Sequence, residues 1–392
     1  MSTQLSARVQ LIKPSPTLAV TAKANALKAA GHNVVGLGAG EPDFDTPDFI
    51  KEAAIQSLND GFTKYTPVGG TAGLKKAIIA KFERDNGLKY APEQILVSCG
   101  AKHSIYNVMQ AVLNKDDEVI IPAPYWVSYP DMALLAEAKP IIVTAGVEQR
   151  FKITPDQLEA AITPRSRLFI MNSPSNPTGI AYTRAELAAL GEVLLKHPQI
   201  MIVTDDIYES ILWTEEPFSN IVMACPDLYD RTFVINGVSK AYAMTGWRIG
   251  YCGGPKDLMK AMDNIQSQST SNPTSIAQVA AQAALEGDQS CITTMLKAFK
   301  ERHAYVYETL QAMDGVEVLP ADGTFYSFPN FSRFMATKFK DDIEMAEYFL
   351  TDAGVAMVPG SAFGADGCMR ISFATSMKNL EEGLQRISKA LG

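Results

Sequence analysis

The chain has 392 residues, 47% hydrophobic and 20% charged, with 43 acidic side chains against 35 basic ones and a formal net charge of −8. That is the composition of a well-buried globular protein of two or three domains and not of a disordered chain. No basic tract and no apolar run of about 18 residues occurs, so neither nucleic acid nor a membrane is expected as a partner. The N-terminal Met-Ser-Thr-Gln-Leu-Ser-Ala-Arg lacks the apolar core of a signal peptide. The five cysteines (Cys99, Cys225, Cys252, Cys291, Cys368) are odd in number and lack metal-ligand spacing. Reduced thiols, a cytoplasmic location and no metal centre are therefore expected.

In chain order, residues 1–17 carry Pro14 and Pro16 and read as an extended arm. Val20 to Ala30 has helical spacing and is stopped by Gly31. Val34 to Gly40 begins as a strand and becomes a glycine-rich turn. Asp48 to Leu58 reads as a helix, and Lys64 to Gly70 as a polar loop carrying Tyr65. Helix and strand then alternate: helix Ala72–Asp85, strand Ile95–Cys99, helix Ile105–Leu113, strands Val119–Ile121, Pro140–Val143 and Arg167–Met171, helix Arg184–Lys196, strands Ile200–Val203 and Thr232–Ile235. Short apolar strands separated by helices predict an α/β fold with a mostly parallel central sheet covered on both faces. A further β-like run is expected over Trp247–Tyr251. Helices are expected over Pro273–Leu285 and Gln289–Met313, the second a spine into a smaller α+β domain. There, strands at Val316–Leu319, Thr324–Phe328, Val355–Val358 and Met369–Phe373 alternate with helices near 342–353 and 378–390.

The chemistry-bearing residues fall at the expected strand ends, where open α/β sheets bind ligands. Gly100-Ala101-Lys102 lies between a strand and a helix start, where free N–H groups form an anion site. Trp126 can stack on a flat ring or fill a core. In Asn172-Ser-Pro-Ser-Asn-Pro-Thr-Gly179 two prolines and a glycine fix a turn, so Asn176 either presents its amide or satisfies its own backbone. Asp205 and Asp206 end a strand; they form a metal pair, or one faces the site and the other turns away, as neighbours in a strand do. Lys240 is flanked by small and apolar residues, and a desolvated lysine favours the neutral amine that attacks aldehydes. Arg248, eight residues on, suits a phosphate or an ion pair. Together, Lys240 and Arg248 suggest pyridoxal 5'-phosphate. Arg370, starting a strand, is either a carboxylate fork or a surface arginine.

The string Ser239-Lys-Ala-Tyr-Ala-Met-Thr-Gly-Trp-Arg-Ile-Gly250 resembles the cofactor-lysine segment of class I/II aminotransferases of pyridoxal-phosphate fold type I, most closely the bacterial aspartate aminotransferases. The resemblance runs from Lys13-Pro-Ser15 to Met369-Arg-Ile-Ser-Phe-Ala-Thr375, with the motifs in family order. It implies an N-terminal arm joining the small domain (1–48), a large cofactor-binding domain (49–288), and a connecting helix with the small domain (289–392). It implies a Schiff base on Lys240 and a ping-pong reaction of amino acids and 2-oxo acids, L-aspartate and 2-oxoglutarate giving oxaloacetate and L-glutamate. Cofactor contacts would come from Gly100, Ala101, Lys102, Trp126, Asn176, Asp205, Tyr208, Ser239 and Arg248, and from Tyr65 across a homodimer interface. Asp205 would hold the ring nitrogen protonated, and Tyr208 and Asn176 would donate to the ring oxygen. Gly40, Trp126, Asn176 and Arg370 would meet the substrate, Lys102 its distal carboxylate, and Lys13 a substrate such as prephenate. Many relatives carry a hydroxyl where this chain has Gly237, and Ser239 is the candidate to replace it. Prephenate, aromatic or alanine transamination and β-lyase chemistry share Lys240, Asp205 and Arg370. A non-catalytic regulatory protein would lack Lys240 or carry a fused DNA-binding segment, and a metal hydrolase on Asp205 and Asp206 wants clustered ligands.

Overall fold

The structure is a computed structural model and describes residues 4–14, 16–335 and 337–392. Its strands are β1 (Val35–Gly36), β2 (Ile95–Ser98), β3 (Glu118–Ala123), β4 (Lys139–Thr144), β5 (Ser166–Asn172), β6 (Met201–Asp205), β7 (Thr232–Gly237), β8 (Gly250–Gly253), β9 (Tyr326–Ser327), β10 (Val355–Ala356), β11 (Val358–Pro359) and β12 (Met369–Ser372). Seven form the central sheet in the order β2-β8-β7-β6-β5-β3-β4. Only β8 runs against its neighbours β2 and β7; the remaining pairs are parallel. The expected α/β architecture is therefore present.

Period-two alternation sends successive residues to opposite faces, and the inner strands β3, β5, β6 and β7 are buried on both. Ile120, Phe169, Ile202 and Val234 enter one core, against Leu74, Ile78 and Phe82 of the helix Ala72–Asn86. Their neighbours Val119, Ile121, Leu168, Ile170, Val203, Phe233 and Ile235 enter the other, against Ile105, Val108 and Met109 of the helix Ala101–Val112. Each fully buried side chain of this size contributes about 1.5–3 kcal/mol. Local signals set the helix ends. Thr71 accepts the Leu74 N–H and left-handed Gly87 closes the same helix. Thr183 and Glu186 form a reciprocal cap on Arg184–Leu195.

The second unit is built on the long helix Ser290–Gln311. Its core joins Phe299, Val306 and Leu310 to Phe325, Phe349, Ile371 and Leu384. Its small sheet runs β11-β12-β9, and β10 pairs in parallel with β1, which ties the N-terminal segment to this unit.

Several expectations are corrected. The arm is not extended throughout: Ser6 caps a short helix over Ala7–Leu11, and a second runs Pro16–Ala29 with its proline at the first position, where no N–H is needed. The extended reading of residues 1–3 and Ser15 falls outside the described residues. Val316–Leu319 is not a strand and makes only an isolated bridge, Glu317 to Asn330. Trp247–Tyr251 splits into a 3-10 turn over Thr245–Trp247 and the strand β8. Thr324–Phe328 shortens to β9, and Val355–Val358 splits between two partners as β10 and β11. The helix after Gly100 begins at Ala101, not Ile105.

Candidate active site

Sheet direction gathers the site. The carboxyl ends of β2, β3, β5, β6 and β7 share one edge, so the turns bearing Gly100, Trp126, Asn176, Asp205 and Lys240 meet there. The antiparallel β8 starts at that same edge, which brings Arg248 in just before it. Against this edge stands the second unit, with β12 supplying Arg370 and β9 supplying Tyr326. Between them is a cavity of about 460 Å³ lined by Gly40, Ala101, Lys102, Trp126, Asn176, Asp205, Tyr208, Ser239, Lys240, Arg248 and Arg370, among others.

Lys240 Nζ donates to the Gly40 carbonyl. Its pKa falls to about 8, chiefly by burial and next by the positive charge of Arg370, with Arg248 a smaller contributor. Burial therefore outranks Arg248 as the cause. Asp205 accepts a 2.7 Å hydrogen bond from Tyr129 Oη on Oδ2, while its buried Oδ1 has no partner among the described residues. Burial raises its pKa to about 6, which the Tyr129 bond and Lys240 limit. Asp206 turns the other way, accepting from Thr204 Oγ1 at 2.5 Å and from Asn220 Nδ2 at 2.7 Å. Strand alternation thus separates the two carboxylates, as expected.

Asn172, not Asn176, closes the turn on itself: its Oδ1 accepts the Asn176 backbone N–H at 2.8 Å. Asn176 Oδ1 accepts from Arg370 at 2.9 Å, which leaves its Nδ2 as a donor. Arg370 is a buried residue, not a surface one. It also donates to the Gly38 carbonyl at 2.8 Å, and its Nε has no partner among the described residues. An arginine held in this way presents a fork fixed in orientation.

Gly100 caps the helix Ala101–Val112 with φ +92. Any side chain there would collide with the Arg248 guanidinium, which itself donates to the Thr245 and Cys99 carbonyls. The result is a helix N-terminus with an arginine over it, a cradle for an anion. Lys102 Nζ stands 4.8 Å from the Trp126 ring centroid, and burial followed by Arg248 lowers its pKa.

Three predicted residues stand outside the cavity lining: Gly100, which lies beneath the Arg248 guanidinium, Tyr65 and Lys13. Tyr65 is 91% exposed, beyond the helix Asp48–Asn59. Lys13 is exposed, and its charge lies close enough to Asp131 to oppose the rise in that carboxyl's pKa. The sequence reading missed Tyr129, Tyr326, Glu41, Thr17, Leu18 and Thr21, all but Tyr129 in the lining of this cavity. Tyr129 carried a usable signal, since it follows Trp126 by three residues in the same motif; Tyr326 carried none. Among the described residues no cluster of three or more metal-ligating side chains occurs.

A desolvated amine, an anion cradle, an unpaired buried carboxylate oxygen and a forked arginine around one cavity make a site that can hold a phosphorylated aldehyde and a carboxylate together. Residues 32–387 match the family described as aminotransferase class I and II. An aspartate/prephenate aminotransferase of Nitrosomonas europaea is 60% identical, over 99% of this chain and 100% of that one. An aspartate aminotransferase of Bacillus subtilis is 49% identical over 98% of each. The aspartate aminotransferase structure from Rhizobium meliloti superposes with a TM-score of 0.96 at 46% identity, covering 99% of both chains. That from Thermus thermophilus with maleate gives 0.94 at 41%, covering 99% of this chain and all of the other. The chain belongs to the class I and II aminotransferases, has their fold type I architecture, and is an aminotransferase.

Proposed function

We propose that this aminotransferase uses pyridoxal 5'-phosphate to move the amino group of L-aspartate to 2-oxoglutarate, in two alternating half-reactions that release oxaloacetate and L-glutamate. The residues fit that cofactor: the unpartnered Asp205 Oδ1 suits a protonated ring nitrogen, and the Gly100 cradle under Arg248 suits its phosphate. When bound, the cofactor supplies an aldehyde that receives the amino group and a ring that accepts electrons. The observation that carries the reading is that Lys240, Asp205, Lys102 and Arg370 line one cavity.

Lys240 Nζ, neutral in about half the molecules near pH 8, is the nucleophile toward the aldehyde and the base that takes the substrate's α-proton. Asp205 holds a proton on the ring nitrogen. Asn176 Nδ2 and Tyr208 Oη donate to the ring oxygen, and Trp126 covers the ring. The Ala101 and Lys102 backbone amides, Ser239 and Arg248 bind phosphate, with Tyr65 reaching the neighbouring subunit's site. Arg370 grips the α-carboxylate beside Gly40, and Lys102 the distal carboxylate. Lys13, outside the lining, reaches substrate only if the N-terminal segment moves inward.

A homodimer in the cytoplasm completes the proposal. It is supported by exposed Ile55, Leu58, Phe62 and Tyr65, which fall within one short stretch of chain, and by five free cysteines. The division at 48/49 and 288/289 is proposed as the mechanical one, supported by the pairing of β1 with β10. Prephenate is a second amino acceptor to consider, since the 60% identical relative is an aspartate/prephenate aminotransferase.

The test is a set of half-reactions on the cofactor-loaded enzyme, with aspartate, alanine, phenylalanine and arogenate added singly and the visible absorption followed. Aspartate should react at least tenfold more efficiently than alanine or phenylalanine, a gap of about 1.4 kcal/mol. Comparable arogenate turnover establishes the dual reading, and equal rates for all four overturn the distal-carboxylate pocket.

A further inference from the structure

Tyr326 belongs to the second unit, yet its side chain ends in the large unit's site. It is fully buried on β9, opposite Ser372 of β12. Its hydroxyl lies 3.0 Å from that of Tyr208, and among the described residues it has no other hydrogen bond. The Arg370 guanidinium sits 4.4 Å from its ring centroid.

The chain leading to Tyr326 is stitched to both loops that carry the ring-oxygen donors. The Asp322 and Gly323 N–H groups both donate to the Gly179 carbonyl at 2.9 Å, closing onto the loop of Asn176. The Thr324 N–H donates to Ile211 O at 2.7 Å, just beyond Tyr208. A side chain on Gly179 would strike the Tyr326 carbonyl and Ala321, so the approach is close. Tyr326 is therefore fixed relative to Tyr208 by backbone bonds on both sides, not by one flexible contact.

We infer that Tyr326 is a positioning residue for the reaction: its hydroxyl donates to Tyr208 Oη and thereby aims and strengthens the single proton that Tyr208 directs into the cavity. The inference rests on the reading that Tyr208 donates to the cofactor's ring oxygen. A phenol has one hydrogen to give. Once Tyr208 spends its own on the cavity side, the bond between the two tyrosines must run from Tyr326 to Tyr208. A hydroxyl that accepts becomes a better donor, because chained hydrogen bonds polarise one another in a dry interior. The cation over the Tyr326 ring acts in the same direction, drawing electron density from that phenol and sharpening its O–H as a donor. Sequence spacing hides this link, since 118 residues separate the two tyrosines.

The test is a double-mutant cycle of Tyr326→Phe and Tyr208→Phe on enzyme loaded with pyridoxal phosphate. The readout is the pH midpoint of its visible absorption change, with the cofactor dissociation constant as a second measure. Tyr326→Phe keeps the ring under Arg370, so the thermal midpoint should stay within a few degrees. Tyr208→Phe should raise the absorption midpoint. Tyr326→Phe alone should raise it by roughly 0.3–1 pH units, the scale of one hydrogen bond, and should add nothing in the Tyr208→Phe background. The same shift in both backgrounds, or none in the wild-type background, overturns the inference and leaves the reading of Tyr208 standing. A Tyr208→Phe variant with an unmoved midpoint sinks that reading, and the inference with it.

Discussion

Lys240 shows what one buried charge does at the scale of a residue. Its pKa is depressed to about 8, while an unfolded lysine titrates near 10.4. Between those values the unfolded chain binds a proton that the folded, cofactor-free chain does not. Wild-type stability should therefore gain with pH from about 8 to about 10.4, and below pH 8 the full cost of burying the ammonium applies. Lys240→Ala removes the effect, so denaturant unfolding of the two apo proteins should show the variant's stability advantage shrinking across that window. The same variant should lose all turnover. Lys102, beside Trp126, belongs to a different part of the chemistry. Lys102→Ala should reduce kcat/KM for aspartate tenfold or more beyond its effect on alanine, as measured by single-substrate half-reactions. Equal losses would place the distal cation elsewhere.

At the scale of an element, the turn between β2 and the helix Ala101–Val112 is the most constrained piece of the site. Gly100 combines a positive φ with no room for a Cβ under Arg248. Gly100→Ala meets backbone strain of about 1–3 kcal/mol and must push the guanidinium aside. Pyridoxal phosphate affinity should fall at least tenfold while far-UV circular dichroism stays unchanged. The sheet strands were legible because most are runs of apolar residues, the inner ones β3, β5, β6 and β7 being buried on both faces. Besides the short Ala7–Leu11, Ile221–Ala224 and Ser332–Met335, three longer helices were not: Ser128–Leu135, Pro155–Ala161 and Lys256–Ser269. The first carries Pro130 within its first turn, and the second is only 7 residues long. The third is mostly polar and is held by Met259, Met262 and Gln266 alone on its buried side. Val316–Leu319 shows the converse failure: its alternation is strand-like, but it meets a partner only at Glu317. A strand needs a neighbour as well as a pattern.

The whole molecule assembles its site from two units, and by the proposal from two subunits. Arg370 and Tyr326 come from the second unit, while the turns around Lys240 come from the central sheet. Arg370→Ala should weaken every amino-acid substrate alike, which a panel of kcat/KM values would show. Tyr65 has no role inside its own protomer that its 91% exposure would support. Tyr65→Phe should leave sedimentation as a dimer intact and weaken cofactor retention several-fold. Full cofactor affinity in a sedimenting monomer would refute the shared site.

The division between local and tertiary information is physical. Motifs whose chemistry is carried by neighbours in the chain were readable directly: the Lys240 segment, the Asn172–Gly179 turn, the Gly100 cap and the strand-end carboxylates. Strand alternation alone sent Asp205 and Asp206 to opposite sides. What the chain order could not reveal was any pairing between distant side chains. Tyr129 on Asp205, Asn176 on Arg370 and Tyr326 on Tyr208 each join residues 76 to 194 positions apart. Only the packing of the second unit against the carboxyl edge of the sheet brings them within hydrogen-bond reach. That packing follows from burial spread over many apolar side chains, a sum that no short window of sequence contains.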